Sequence, residues 1–114
     1  MPRPIPLIIL GGADRKPARL PEGTRDHHPL SGCKGVDVRL HGRCLIEEVR
    51  DRLDRSRAFD PIWIAGPRAT YLEAGVEGRV VDTNGSFGDN IRAGIEAVGS
   101  ELGERPMAIV TCDA

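Results

Sequence analysis

The residues best suited to chemistry in this chain are a glycine pair, one lysine and one aspartate, set far apart in sequence. Gly11-Gly12 directly follow the apolar run Ile5-Pro-Leu-Ile-Ile-Leu10. With no Cβ, the backbone there can approach an anion closely and offer N–H groups to phosphate. A tight turn that needs positive φ has the same composition. Asp113 follows a second apolar run, Met107-Ala-Ile-Val-Thr111. A carboxylate leaving a buried strand is a hard oxygen ligand suited to Mg²⁺; a surface carboxylate or a helix cap has the same appearance. Lys34 offers a positive charge to a phosphate, or is simply solvated. The glycines fit neither G-x-G-x-x-G nor G-x-x-x-x-G-K-[ST], and Gly32-Cys-Lys-Gly35 lacks the spacing and the hydroxyl of a phosphate loop.

Other chemistry is less well supported by spacing. His27, His28, Cys33 and His41 match no common zinc pattern. Cys112 has no histidine at a matching spacing, so it reads as a small buried thiol. Three widely spaced cysteines do not make a disulfide framework, and a reducing cytoplasm is the expected compartment. Sixteen basic side chains face seventeen acidic ones, for a net charge of −1, which excludes a general nucleic-acid binder. No apolar run approaches the roughly 18 residues of a membrane span, so no membrane partner is expected. Apolar residues make up 39% and aromatics only 4%, which is a globular composition with an aliphatic core. The 114 residues are room for one domain, over 1–114.

The elements that must position these residues alternate. Residues 5–10 form a nearly continuous apolar run, the mark of a strand buried on both faces. Residues 13–43 are polar, without sustained period, and read as a long loop with a short extended piece at Val36–Leu40. Residues 44–56 read as a helix with Leu45, Ile46, Val49 and Leu53 on one face. Pro61–Ala65 is a second buried strand, Arg68–Ala74 a short helix closed by Gly75, and Arg79–Asp82 a third strand. After the loop Thr83–Gly88, a helix is predicted from about Asp89 to Leu102, with Ile91, Ile95, Val98 and Leu102 on one face and Asp89 at the positive dipole end. Met107–Thr111 is the fourth strand. Such alternation predicts an α/β fold, a Rossmann-like three-layer parallel sheet with strand order 3-2-1-4. In that order the first and fourth strands are neighbours. Gly11-Gly12 and Asp113 then face one crevice at the carboxyl ends of the strands, where ligands of such sheets bind.

Taken together these residues resemble the nucleotidyltransferases with a molybdenum-cofactor guanylyltransferase-like (MobA-like) NTP transferase domain. The resemblance runs from about Leu7 to Ala114 and corresponds to the N-terminal, nucleotide-binding half of that domain. The family's opening strand and Leu-Ala-Gly-Gly loop correspond to Ile9-Leu10-Gly11-Gly12. Its lysine corresponds to Lys34, and its Gly-Lys/Arg-Pro-Leu helix start to Gly42-Arg43-Cys44-Leu45. Its strand ending in Asp-x-Pro corresponds to Ile109-Val-Thr-Cys-Asp113-Ala114. Ala13-Asp14-Arg15-Lys16-Pro17 stands where the family has an arginine followed by Met, and Cys44 stands for the common proline.

The resemblance implies an incomplete fold of the nucleotide-diphospho-sugar transferase (GT-A-like) type. It also implies transfer of a nucleoside monophosphate from an NTP to a small phosphorylated acceptor, with Mg²⁺ and release of pyrophosphate. Leu10, Gly11, Gly12 and Arg15 would hold the nucleotide. Lys34 would offset phosphate charge during attack at the α-phosphorus, and Asp113 would bind the metal. Asp82, Asn84, Gly85 and Asn90 lie where relatives contact the nucleotide; the base, GTP among the candidates, stays open. The family's domains continue past the point matching Ala114, so a truncated chain without activity of its own is the expectation. A non-catalytic nucleotide-binding domain on the same fold is the alternative, favoured by Asp14 near the triphosphate.

Overall fold

The computed structural model describes residues 3–12, 36 and 38–111. Strand β1 (Ile5–Leu10) is buried along Pro6–Leu10. Because successive side chains of a strand point to opposite faces, Leu7 and Ile9 enter one hydrophobic cluster while Ile8 and Leu10 enter another. A strand that is apolar on both sides must be covered on both sides.

Its cover begins with the sheet. A two-residue hairpin, β2 (Arg39–Leu40) and β3 (Arg43–Cys44), leads into helix α1 (Leu45–Arg55). Then come β4 (Phe59–Gly66), α2 (Arg68–Glu73), β5 (Arg79–Asp82), α3 (Phe87–Leu102) and β6 (Ala108–Thr111). The four long-range strands form one all-parallel sheet in the order β5-β4-β1-β6. This is the order expected from the alternation of elements. Leu10 pairs with Ala65 on one side and Thr111 on the other, so β1 is central.

Helices cover the two faces separately. Ile46, Val49 and Leu53 of α1 and Tyr71 of α2 pack with Leu7, Ile9 and Ile64. Ile91, Val98 and Leu102 of α3 pack with Ile8, Leu10, Trp63 and Ala65 on the other face. The layering is therefore α/β/α, compatible with a Rossmann-like fold. No helix among the described residues is long and apolar enough to cross a membrane.

Several local expectations change. Of the extended piece expected at Val36–Leu40, Arg39 and Leu40 are strand, Val36 is helical and Asp37 lies outside the described residues; the chain then reverses at His41-Gly42. Both residues have positive φ, 54° and 81°, as a type I′ hairpin turn requires, and Gly42 adopts this without a Cβ penalty. Strand β4 begins at Phe59, two residues before the predicted Pro61. Helix α3 begins at Phe87 rather than Asp89, since Ser86 is the N-cap. The Ser86 hydroxyl accepts from the Asp89 amide at 3.2 Å, and the Asp89 carboxylate accepts from the Ser86 amide at 3.1 Å. Ile95, predicted for the buried face, is 43% exposed; Gly94 takes that place against Ile8.

The capping box generates a pH-dependent prediction. The amide and hydroxyl of Ser86 hold the Asp89 carboxyl below its ordinary 3.8. A carboxyl whose folded pKa is depressed contributes stability above its unfolded pKa, and loses it as pH falls through the folded one. Ser86→Ala is expected to lower stability by about 1 kcal/mol in urea unfolding at neutral pH, with exposed Ser100→Ala changing it by less than about 0.5 kcal/mol. Asp89→Ala is also expected to destabilise at neutral pH, and its difference from wild type should narrow as pH drops below 3.8.

Candidate functional site

The four parallel strands end at one edge, in the order Asp82, Gly66, Leu10 and Thr111. The ladder runs slightly past the strands. The Gly11 amide donates to the Ala65 carbonyl at 2.9 Å, and the Thr83 amide donates to the Gly66 carbonyl at 3.1 Å. Because β1 lies between β4 and β6, this edge gathers the glycine pair, the loop after β5 and the start of α3. Thr111, two residues before Asp113, pairs with Leu10.

Gly11 and Gly66 are glycine because of close approach, not backbone strain. Neither they nor Gly12 has positive φ. A Cβ on Gly66 would stand 2.6 Å from the Gly11 carbonyl oxygen and 2.7 Å from Tyr71 Cε2. A Cβ on Gly11 would run into the Tyr71 hydroxyl. That buried hydroxyl donates to the Gly11 carbonyl. The Gly11 amide and carbonyl are thus both engaged inside the fold, and Gly12 is the first residue of the pair beyond the ladder.

Asn90 is the buried polar residue among the described residues, 6% exposed. It projects from the first turn of α3 toward the edge. Its Oδ1 accepts from the Thr83 hydroxyl at 3.0 Å and from the Gly85 amide at 3.1 Å. Its Nδ2 lies 2.6 Å from the point where a Gly12 Cβ would sit. One amide side chain therefore holds the loop after β5 and lies close beside Gly12. Gly85 has its own close neighbour, with Asp89 Cβ 2.8 Å from where its Cβ would be.

The remaining candidates are distributed as follows. Leu10 is buried and packs toward α3, so its backbone rather than its side chain borders the edge. The Asp82 carboxylate, at the outer strand, accepts from the Arg68 amide at 3.0 Å and so caps the start of α2. Asn84 is exposed on the loop. Arg15, Lys34 and Asp113 lie outside the described residues, as do His27, His28, Cys33 and Cys112. His41 sits exposed in the hairpin turn. Cys44 is buried before α1, where burial and the Glu47 carboxylate beside its sulfur push the thiol pKa up, which makes it a poor nucleophile. Among the described residues no three His, Cys, Asp or Glu side chains gather to hold a metal. Near the edge, Asp82 and Asp89 are both engaged by backbone amides.

Two open grooves among the described residues lie elsewhere. One, of about 590 Å³, runs along β5 beside Trp63, Leu72 and Val80; the other, of about 420 Å³, involves Arg50, Asp60 and Glu77 at the amino end of the sheet. Neither touches Gly11, Gly12 or Asn90.

Tyr71 and Gly66 belong to the edge and were not singled out from sequence. The usable signal was Tyr71 itself, since a tyrosine drawn into an aliphatic core needs a partner for its hydroxyl. Which carbonyl accepts it, 60 positions away, is decided by the packing of α2 on the sheet. Comparison with protein-family models, curated proteins and solved structures finds no match to this chain.

The glycine–tyrosine contact is testable by stability. Gly66→Ala is expected to cost about 1–3 kcal/mol, because the atoms it meets are backbone and a buried ring that cannot move aside. Tyr71→Phe is expected to cost about 1 kcal/mol through loss of the hydrogen bond to Gly11. Chemical unfolding of each variant measures both.

Proposed function

We propose that this chain binds a nucleoside triphosphate at the carboxyl edge of its sheet and, with Mg²⁺, takes part in nucleotidyl transfer to a phosphorylated acceptor. The finer fold is read as GT-A-like, of the nucleotide-diphospho-sugar transferase type. What supports the reading is the strand order, which sets the end of β1, with Gly11-Gly12, beside the end of β6 two residues before Asp113. Ligands of open parallel sheets bind at such a switch point.

In this reading an acceptor phosphate oxygen attacks the α-phosphorus. The new P–O bond forms as the bond to the β-phosphate oxygen breaks, and pyrophosphate leaves. The protein's part is mainly positioning and charge. Gly12 lets the phosphates approach, since Gly11 is already engaged by Ala65 and Tyr71. Lys34 and Arg15 offset phosphate charge, and Asp113 is the ligand for the metal. Mg²⁺, when bound, supplies charge neutralisation on the phosphate oxygens. Asn90 holds the loop Thr83–Gly85 against the edge, which gives the nucleotide a fixed wall.

The second reading is a nucleotide-binding domain without catalysis. It is favoured by the engagement of Gly11 and by the two edge carboxylates, Asp82 and Asp89, acting as helix caps.

Calorimetric titration with NTPs in the presence and absence of Mg²⁺ separates the readings. Under the first, Asp113→Asn is expected to weaken Mg²⁺-dependent binding by about tenfold or more, the loss of a charge-assisted contact. Under the second, binding is unchanged by Asp113→Asn. No binding of any NTP by the wild-type chain overturns both.

A further inference from the structure

The chain has four aromatic residues. Trp63 and Tyr71 are buried, and Phe59 packs against the core. Phe87 is 63% exposed and belongs to neither hydrophobic cluster. It is the first residue of α3, next to the Ser86 cap and the loop Thr83–Gly85.

Its place on the helix is set by its neighbours. Residues 87, 90, 94 and 98 share one helical face, by the spacing of three and four. Val98 is buried in the core on this face. Gly94 lies against Ile8, in the middle of β1. Asn90 lies against Gly12, just past the end of β1. Ascending the face toward the start of α3 therefore follows β1 toward and past its carboxyl end. Phe87 is the next step. Helical side chains also lean toward the helix N-terminus, which carries its ring further beyond the strand ends. An exposed ring is thus carried on the same face as the residue that borders the glycine pair.

We infer that Phe87 is the stacking platform for the nucleobase of the nucleotide proposed above. This inference rests on the nucleotide-binding reading of the carboxyl edge. A flat apolar ring next to a polar loop suits a heteroaromatic base, whose faces stack while its edges hydrogen-bond. Stacking is tolerant of base identity, so Phe87 contributes affinity for a base of either class, and the exposed Asn84 of the loop Thr83–Gly85 offers the side-chain amide that discriminates among them. The ring contacts the base alone and leaves the phosphates to the glycine end of the edge.

The test compares ligands with and without a base. Wild type, Phe87→Ala and Phe87→Tyr are titrated calorimetrically, as full chains with Mg²⁺, with GTP, ATP, CTP and UTP and with inorganic tripolyphosphate. The exposed position makes folding of Phe87→Ala easy to verify by thermal melting. The expected result is a loss of about 5- to 150-fold in affinity for the preferred NTP in Phe87→Ala, recovery in Phe87→Tyr, and unchanged tripolyphosphate binding in all three. If wild type binds an NTP and folded Phe87→Ala binds it equally well, stacking is overturned while the nucleotide site stands. Equal losses for NTP and tripolyphosphate also overturn it, since the residue then shapes the edge rather than meeting the base. Failure of wild type to bind any NTP removes both the inference and the reading beneath it.

Discussion

Burial of β1 on both faces is the constraint on which the architecture depends. Leu7, Ile8 and Ile9 have no exposed surface, and Leu10 almost none. Removing such side chains from water stabilises by about 1.5–3 kcal/mol each, the largest favourable contribution a short aliphatic segment can make. It can be made only if strands flank β1 on both edges and helices cover it above and below. The chain meets this demand with β4 and β6 as neighbours, α1 and α2 on one face, and α3 on the other. The crossover from β5 to β6, past β4 and β1, is what places the end of the last described strand beside the glycine pair.

A second consequence follows at the carboxyl edge. Strands of a parallel sheet all end on the same side, and their terminal backbone groups need partners once the ladder stops. Here the partners are internal and closely spaced. Ala65 takes the Gly11 amide, Tyr71 gives its hydroxyl to the Gly11 carbonyl, and Thr83 continues the ladder to Gly66. Asn90 closes the set by accepting from Thr83 and Gly85. The edge is therefore a firm platform, built from glycines that admit their neighbours and from two polar side chains that reach in from helices on opposite faces. Such a platform suits work done by positioning and charge, because little reorganisation is needed when a ligand arrives.

Several charged residues, at the edge and elsewhere in the fold, hold elements in place. Asp82 caps α2, and Asp89 closes the capping box of α3. Arg43 joins the β2–β3 hairpin to α1 through Glu48 and Asp51, and Arg79 lies over Trp63 while pairing with Glu101. Residue types that read as candidate ligands in sequence thus have mechanical duties in the fold. Asp82 illustrates the point: a carboxylate at the end of a strand has the same sequence signature whether it meets a ligand or a helix amide.

Much of this fold was legible from local pattern. The continuous apolar runs ending in glycine, the spacing of Leu45, Ile46, Val49 and Leu53, and the alternation of strand and helix pointed to an α/β chain with a parallel sheet, and the order β5-β4-β1-β6 is the usual one for doubly wound sheets. These features depend on side-chain period and on the handedness of crossovers, both of which are properties of neighbouring residues. The sequence also marked Gly11, Gly12 and Asn90, but not why they matter together. That Gly11 accepts a hydroxyl from Tyr71, that Gly66 must lack a side chain, that Gly94 rather than Ile95 faces the core, and that Asn90 holds the loop after β5 close beside Gly12 were decided only by tertiary structure. Each depends on how deeply a helix seats on the sheet. That depth is set by the summed packing of residues far apart in sequence, such as Gly94 against Ile8 and Tyr71 against Gly11, which no local window contains.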